Sequence, residues 1–124
     1  WGVDPNLIRA NLFSMVCQAR YHDIAPVIGL PLPFCIQRVL AQDYQPPPGG
    51  FEALAGELKK LVDSLVISAR HSEVPVADFY APMIDNSGKP GESLFLEDGL
   101  HPNRDGHRLM ADSLVSVLRE EFYF

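Results

Sequence analysis

The sequence is poor in cysteine, in clustered positive charge and in long apolar runs, and each shortage removes a class of protein. Two cysteines in 124 residues, Cys17 and Cys35, are too few for a disulfide framework, and neither stands in the CxxC or Cys/His spacing of a zinc site. Both are expected as free thiols in packed positions, with a single bridge between them as the alternative. Sixteen acidic residues outweigh ten basic ones for a net charge of −6, and the lysines and arginines form no cluster. The electrostatic footprint of a nucleic-acid partner is therefore missing. No apolar run approaches the roughly 20 residues that span a bilayer, because Pro26, Pro31, Pro33, Lys59 and Lys60 break the candidates. Also missing are an initiating Met and the charged and apolar regions of a signal peptide, so the chain, starting at Trp1, reads as processed or truncated. The compartment stays open, with the cytoplasm first, since any signal peptide would lie upstream.

What is there is the material of one globular domain: 47% apolar and 21% charged residues in a length too short for two. Asp4 as a cap, Pro5 at the first helical position and Leu7, Ile8, Leu12, Met15, Val16 and Ala19 at helical spacing predict a helix ending near His22. The apolar run Ala25 to Leu30 predicts a strand buried on both faces, as in a parallel sheet. Residues 31–50 show no sustained period and end in the breaker cluster Pro46-Pro47-Pro48-Gly49-Gly50. They read either as a binding loop or as a spacer with a short helix around Ile36 to Ala41. Leu54, Leu58, Leu61, Val62, Leu65 and Ala69 then mark one face of a second helix, and Val74 to Tyr80 a second strand. The turn chemistry of Asp85-Asn86-Ser87-Gly88 follows. The last helix is expected from about Asn103, its cap, to Glu121, with Met110, Leu114, Val117 and Leu118 facing a core.

Strand, helix, strand is a βαβ unit with a right-handed crossover, and the class is α/β. In open parallel sheets the working crevice lies at the carboxyl ends of the strands. The loops leaving those ends, residues 31–50 and 81–101, are the places to look. The second closes on Asp98-Gly99-Leu100-His101-Pro102-Asn103. Two residues separate Asp98 from His101, so the carboxylate reaches one ring nitrogen, fixes the tautomer and stabilises the imidazolium formed when the other nitrogen takes a proton. Asp78 and Asp85 lack that spacing to a histidine, and His22 and His71 read as helix-end residues.

With Gly106-His107 and Met110-Ala111 behind it, the string from Asp98 to Asn103 resembles the last block of the SGNH (GDSL) hydrolases, the Asp-x-x-His block. Pro26 to Pro33 is similar to that family's penultimate long strand, and Asn11-Leu12 to Ala19 to the helix before it. The resemblance covers nearly the whole chain. It implies a three-layer α/β/α, flavodoxin-like parallel sheet of which only the C-terminal part is present. It also implies a hydrolase of small carboxylic esters or thioesters that needs no cofactor, with His101 as general base and Asp98 as its orienting partner. The family's nucleophilic Ser in a Gly-Asp-Ser motif, and the Gly and Asn that complete its oxyanion hole, have no match here. Asp85-Asn86-Ser87-Gly88 runs in the wrong order and sits in a turn. By itself the chain is expected to be inactive.

Two parallel strands also leave sheet edges unpaired, so association with the missing N-terminal half, or a dimer through the open edge, is expected. Pro33, Phe34, Ile36 and Tyr44, together with Phe51, read either as the lining of an acyl or aryl pocket or as a local packed cluster. Two other readings stand beside the esterase: a non-catalytic binding module using the 31–50 loop, and a metal-dependent hydrolase with Asp98, His101 and His107 as ligands.

Overall fold

The computed structural model describes residues 4–122; Trp1, on which the reading of a truncated start turned, lies outside them. Helix α1 (Pro5–Tyr21) starts as its sequence dictates: Asp4 caps it by accepting the Asn6 amide at 2.9 Å, and Pro5 occupies the position where no amide is needed. Strand β1 (Ile28–Gly29) follows, then a five-residue helix α2 (Ile36–Leu40), the long helix α3 (Gly50–His71), strand β2 (Val76–Ala77), two short 3-10 turns (Ala81–Met83 and Glu92–Leu94) and helix α4 (Arg104–Phe122). The strands pair in parallel, Ile28 with Val76 and Gly29 with Ala77, so β1–α3–β2 is the expected βαβ unit.

Both helices that lead into strands end alike. His22 and Ser72 cap α1 and α3, Asp23 and Glu73 adopt left-handed backbone with φ 57° and 51°, and the amides of Ile24 and Val74 return to the carbonyls of Ala19 and Ala69 at 2.9 and 3.0 Å. This reversal, made without glycine, turns the chain back along the helix that precedes each strand.

The ladder is shorter than expected, for local reasons. Pro26 and Pro31 supply no amide on either side of β1. Beyond β2 the Asp78 carboxylate accepts the amides of Tyr80 and Ala81, both at 2.9 Å, and curls the chain into the first 3-10 turn. Nor is β1 buried on both faces. Ile28 and Leu30 are buried, whereas Gly29, turned the other way by the pleat, is exposed. A Cβ on Gly29 would lie 2.5 Å from the Phe79 ring, so that ring occupies the space a side chain would need.

The core runs from the sheet into the loops. Ile28 packs with Val16, Ala69 and Val74, and Leu30 with Leu61, Val62 and Leu65, which brings α1 and α3 onto β1 and β2. Helix α4 packs on β2 and on both 3-10 turns. Its Met110, Leu114, Val117 and Leu118 are half-buried. Helix α1 buries only Val16, while Leu7, Ile8 and Met15 on its periodic face remain exposed. Cys17 is exposed too, contrary to the packed position expected of it, and lines a groove between α1 and the end of α3; Cys35 is buried, and both are free thiols. No described helix is long and apolar enough to cross a membrane.

Candidate active site

Asp98 and His101 meet as their spacing requires. The Asp98 Oδ1 atom accepts the amides of Leu100 (2.9 Å) and His101 (3.0 Å), and Oδ2 accepts Nδ1–H of the His101 ring at 2.6 Å. A carboxylate only accepts, so Nδ1 carries the proton and Nε2 keeps its lone pair. Three hydrogen bonds, from the His101 amide, the His101 ring and the Leu100 amide, lower the Asp98 pKa from its ordinary 3.8 to about 2. The Asp98 side chain is 29% exposed and that of His101 72%, leaving the basic nitrogen open to a reactant.

Gly99 makes the turn between them, at φ +74°. A Cβ there would lie 2.7 Å from the Cys35 carbonyl oxygen and 2.8 Å from the Val39 amide nitrogen. The His-bearing turn is thus seated directly on the backbone of α2. The Gly99 carbonyl accepts the Cys35 amide at 2.8 Å, Gln42 Nε2 donates to the Glu97 carbonyl at 2.9 Å, and Arg38 Nη1 donates to the Phe95 carbonyl at 2.8 Å. The loops leaving the two strands are knit together at this point. Behind the turn, Asn103 caps α4 by accepting the amides of Asp105 and Gly106 and ties it to the preceding chain by donating to the Ser93 carbonyl.

Arg38 and Gln42 are the residues that sequence reasoning missed. Their partners lie 57 and 55 positions away and are backbone carbonyls, which leave no pattern in side-chain types.

The expected pocket residues divide between two places. Phe34 and Phe51 pack edge to face with ring centroids 6.5 Å apart, in a buried cluster with Val39 against Leu54 and Leu58 of α3. Pro33, Phe34 and Ile36 line one depression of about 180 Å³ together with Tyr80 and Lys89. Tyr44 lines another, of about 210 Å³, with Leu100. A larger groove of about 740 Å³ between α1 and the end of α3 contains none of these residues. The His107 ring is turned to its own helix, Nδ1 lying 2.9 Å from the Asn103 carbonyl, and among the described residues no three His, Cys, Asp or Glu side chains gather as a metal ion would require. Asp98, His101 and His107 are therefore not brought together as a ligand set. Asp85 accepts the Ser87 hydroxyl and the amides of Ser87 and Lys89, bonds that lower its pKa and commit its carboxylate to its own turn.

No curated protein matches the chain. Solved structures do. A GDSL-like lipase from Bacteroides thetaiotaomicron superimposes with a TM-score of 0.74 at 18% identity, covering 96% of this chain and 54% of that one. A G-D-S-L family protein from Desulfitobacterium hafniense gives 0.71 at 21%, covering 94% and 57%. The esterase domain of the ORF1 protein of the zebrafish ZfL2-1 retrotransposon gives 0.70 at 18%, covering 95% and 65%. The chain spans little more than half the length of the first two, and at these identities the likeness is one of fold. Sequence carries the assignment further: the profile of the GDSL-like lipase/acylhydrolase family matches residues 5–114, and the chain belongs to that family.

Proposed function

We propose that this chain is the base-bearing, C-terminal part of a serine hydrolase of carboxylic esters or thioesters, in which His101 is the general base and Asp98 its orienting partner. The observation that carries the reading is the 2.6 Å bond between Asp98 Oδ2 and His101 Nδ1 beside an open Nε2. Membership of the GDSL-like lipase/acylhydrolase family supports ester chemistry. The nucleophile is a serine supplied from outside these 124 residues, which contain no Gly-Asp-Ser string. In the reaction, His101 Nε2 takes the serine proton as Oγ attacks the carbonyl carbon, Asp98 holds the imidazolium in place, and the proton then passes to the leaving alcohol or thiol. No cofactor enters.

The same reading makes the fold the end of a three-layer α/β/α domain. The remainder then continues the sheet from the free edge of β1 and covers the exposed Leu7, Ile8 and Met15 of α1.

The test is turnover of p-nitrophenyl acetate by the full-length protein that joins this chain to a Gly-Asp-Ser block. His101→Ala is expected to lower kcat about a thousandfold or more, and near-normal turnover would overturn the assignment. The 124-residue chain alone is expected to show no serine-dependent turnover.

A further inference from the structure

Leu100, the residue between Gly99 and His101, walls the depression of about 210 Å³ that Val39, Tyr44, Gln45 and Phe51 complete. Val39 and Phe51 are 1% and 5% exposed and form a fixed apolar floor, while Tyr44 and Leu100, 39% and 41% exposed, form an open rim. The Asp98 carboxylate that holds the His101 ring also holds the Leu100 amide, so one group sets the rim of the depression and the direction of the base together. The opposite wall is tied to the same turn through the Cys35 amide and the Gly99 carbonyl.

No charged side chain lines this depression, so an ionic ligand would lose hydration there without compensation. An apolar group would not. A dry cavity of about 150 Å³ is large enough to take benzene, and this one is larger.

On the ester-hydrolase reading above, we infer that the depression receives the alcohol half of the substrate, and that Leu100 and Tyr44 select esters of a compact apolar aryl or alkyl alcohol. The path of the proton favours it. In acylation the bond from serine Oγ to the carbonyl carbon forms, the bond from that carbon to the alcohol oxygen breaks, and the proton held on His101 Nε2 moves to the alcohol oxygen. That oxygen must lie within hydrogen-bond reach of Nε2. Its substituent therefore sits beside the turn that carries His101, and Leu100 of that turn lines this depression. The depression lined by Pro33, Phe34 and Ile36 includes no residue of the turn.

Two measurements on the full-length protein decide it. The first is the ratio of kcat/KM for benzyl acetate to that for methyl acetate. Leu100→Trp, which fills the depression, is expected to lower the ratio about tenfold or more, and Tyr44→Ala, which removes its rim, to lower it about threefold. Ratios unchanged in both variants overturn the inference. The second is binding of benzyl alcohol followed through the methyl resonances of Val39, which neither substitution removes. Shifts are expected in the parent and their loss in Leu100→Trp, and no shift in the parent overturns the inference whatever the activity. Benzyl alcohol that binds at Val39 in a protein turning over no ester leaves the pocket standing and removes the hydrolase reading. Turnover that depends on His101 with an unchanged ratio does the reverse.

Discussion

At the scale of single residues, Asp98 does more than face a histidine. Its two oxygens accept three hydrogen bonds within a four-residue turn, which is why its pKa falls to about 2. Because that value lies below the ordinary 3.8, the stabilisation Asp98 brings is complete above about pH 4 and is lost as the pH falls through 2. A ¹³C titration of the Asp98 carboxyl is expected to show a midpoint near 2, and one near 3.8 would mean that the three bonds do not form. Under the proposed role of the pair, Asp98→Asn keeps the size of the side chain but removes the charge that would stabilise an imidazolium, so activity in the full-length protein should fall, although less steeply than in His101→Ala. Gly99 has no substitute: the left-handed backbone and the 2.7 Å approach to the Cys35 carbonyl both forbid a side chain. Gly99→Ala is expected to cost about 1–3 kcal/mol in urea unfolding and to displace the turn.

At the scale of elements, the matched ends of α1 and α3 set the entry into both strands. Each puts a non-glycine residue, Asp23 or Glu73, in left-handed backbone. That conformation costs such a residue about 1–2 kcal/mol, part of which glycine returns to the unfolded chain as entropy. Glu73→Gly is expected to stabilise the protein by about 0.5–1 kcal/mol in urea unfolding. Arg20 bonds the carbonyl of residue 73 rather than its side chain, so that tie survives the change. Sequence reading located the helices well because caps and periodicity are local: Asp4 and Pro5 start α1, and Leu61, Val62 and Leu65 on one face of α3 became core. It overestimated the strands, since runs of six and seven mostly apolar residues do not reveal that prolines and the Asp78 turn leave a two-residue ladder. The end of α1 near His22 was legible, but the left-handed residue after each helix was not, because Glu73 in particular is not a residue that announces such a turn.

At the scale of the whole molecule, the Asp98–His101 pair was legible because three positions of chain decide it. The seat beneath the pair was not, because Gly99, Arg38 and Gln42 find their partners only after the chain folds. Helix α1 shows the same limit from the other side. Its periodic apolar face is real, yet Leu7, Ile8 and Met15 stay 53%, 36% and 63% exposed beside a strand with one edge free. A surface of that kind associates. Sedimentation of the 124-residue chain is expected to show concentration-dependent self-association that Met15→Lys together with Leu7→Lys reduces; a monomer at all concentrations would count against it. The burial of Cys35 against Met83 and Phe95, set beside the openness of Cys17, has a kinetic consequence as well. A thiol reagent meets Cys17 at once but reaches Cys35 only when the packing of its side chain against Met83 and Phe95 opens. The ratio of the two alkylation rates is therefore a stopwatch, built into the native sequence, for how often the core beside the loops that carry Asp98 and His101 opens.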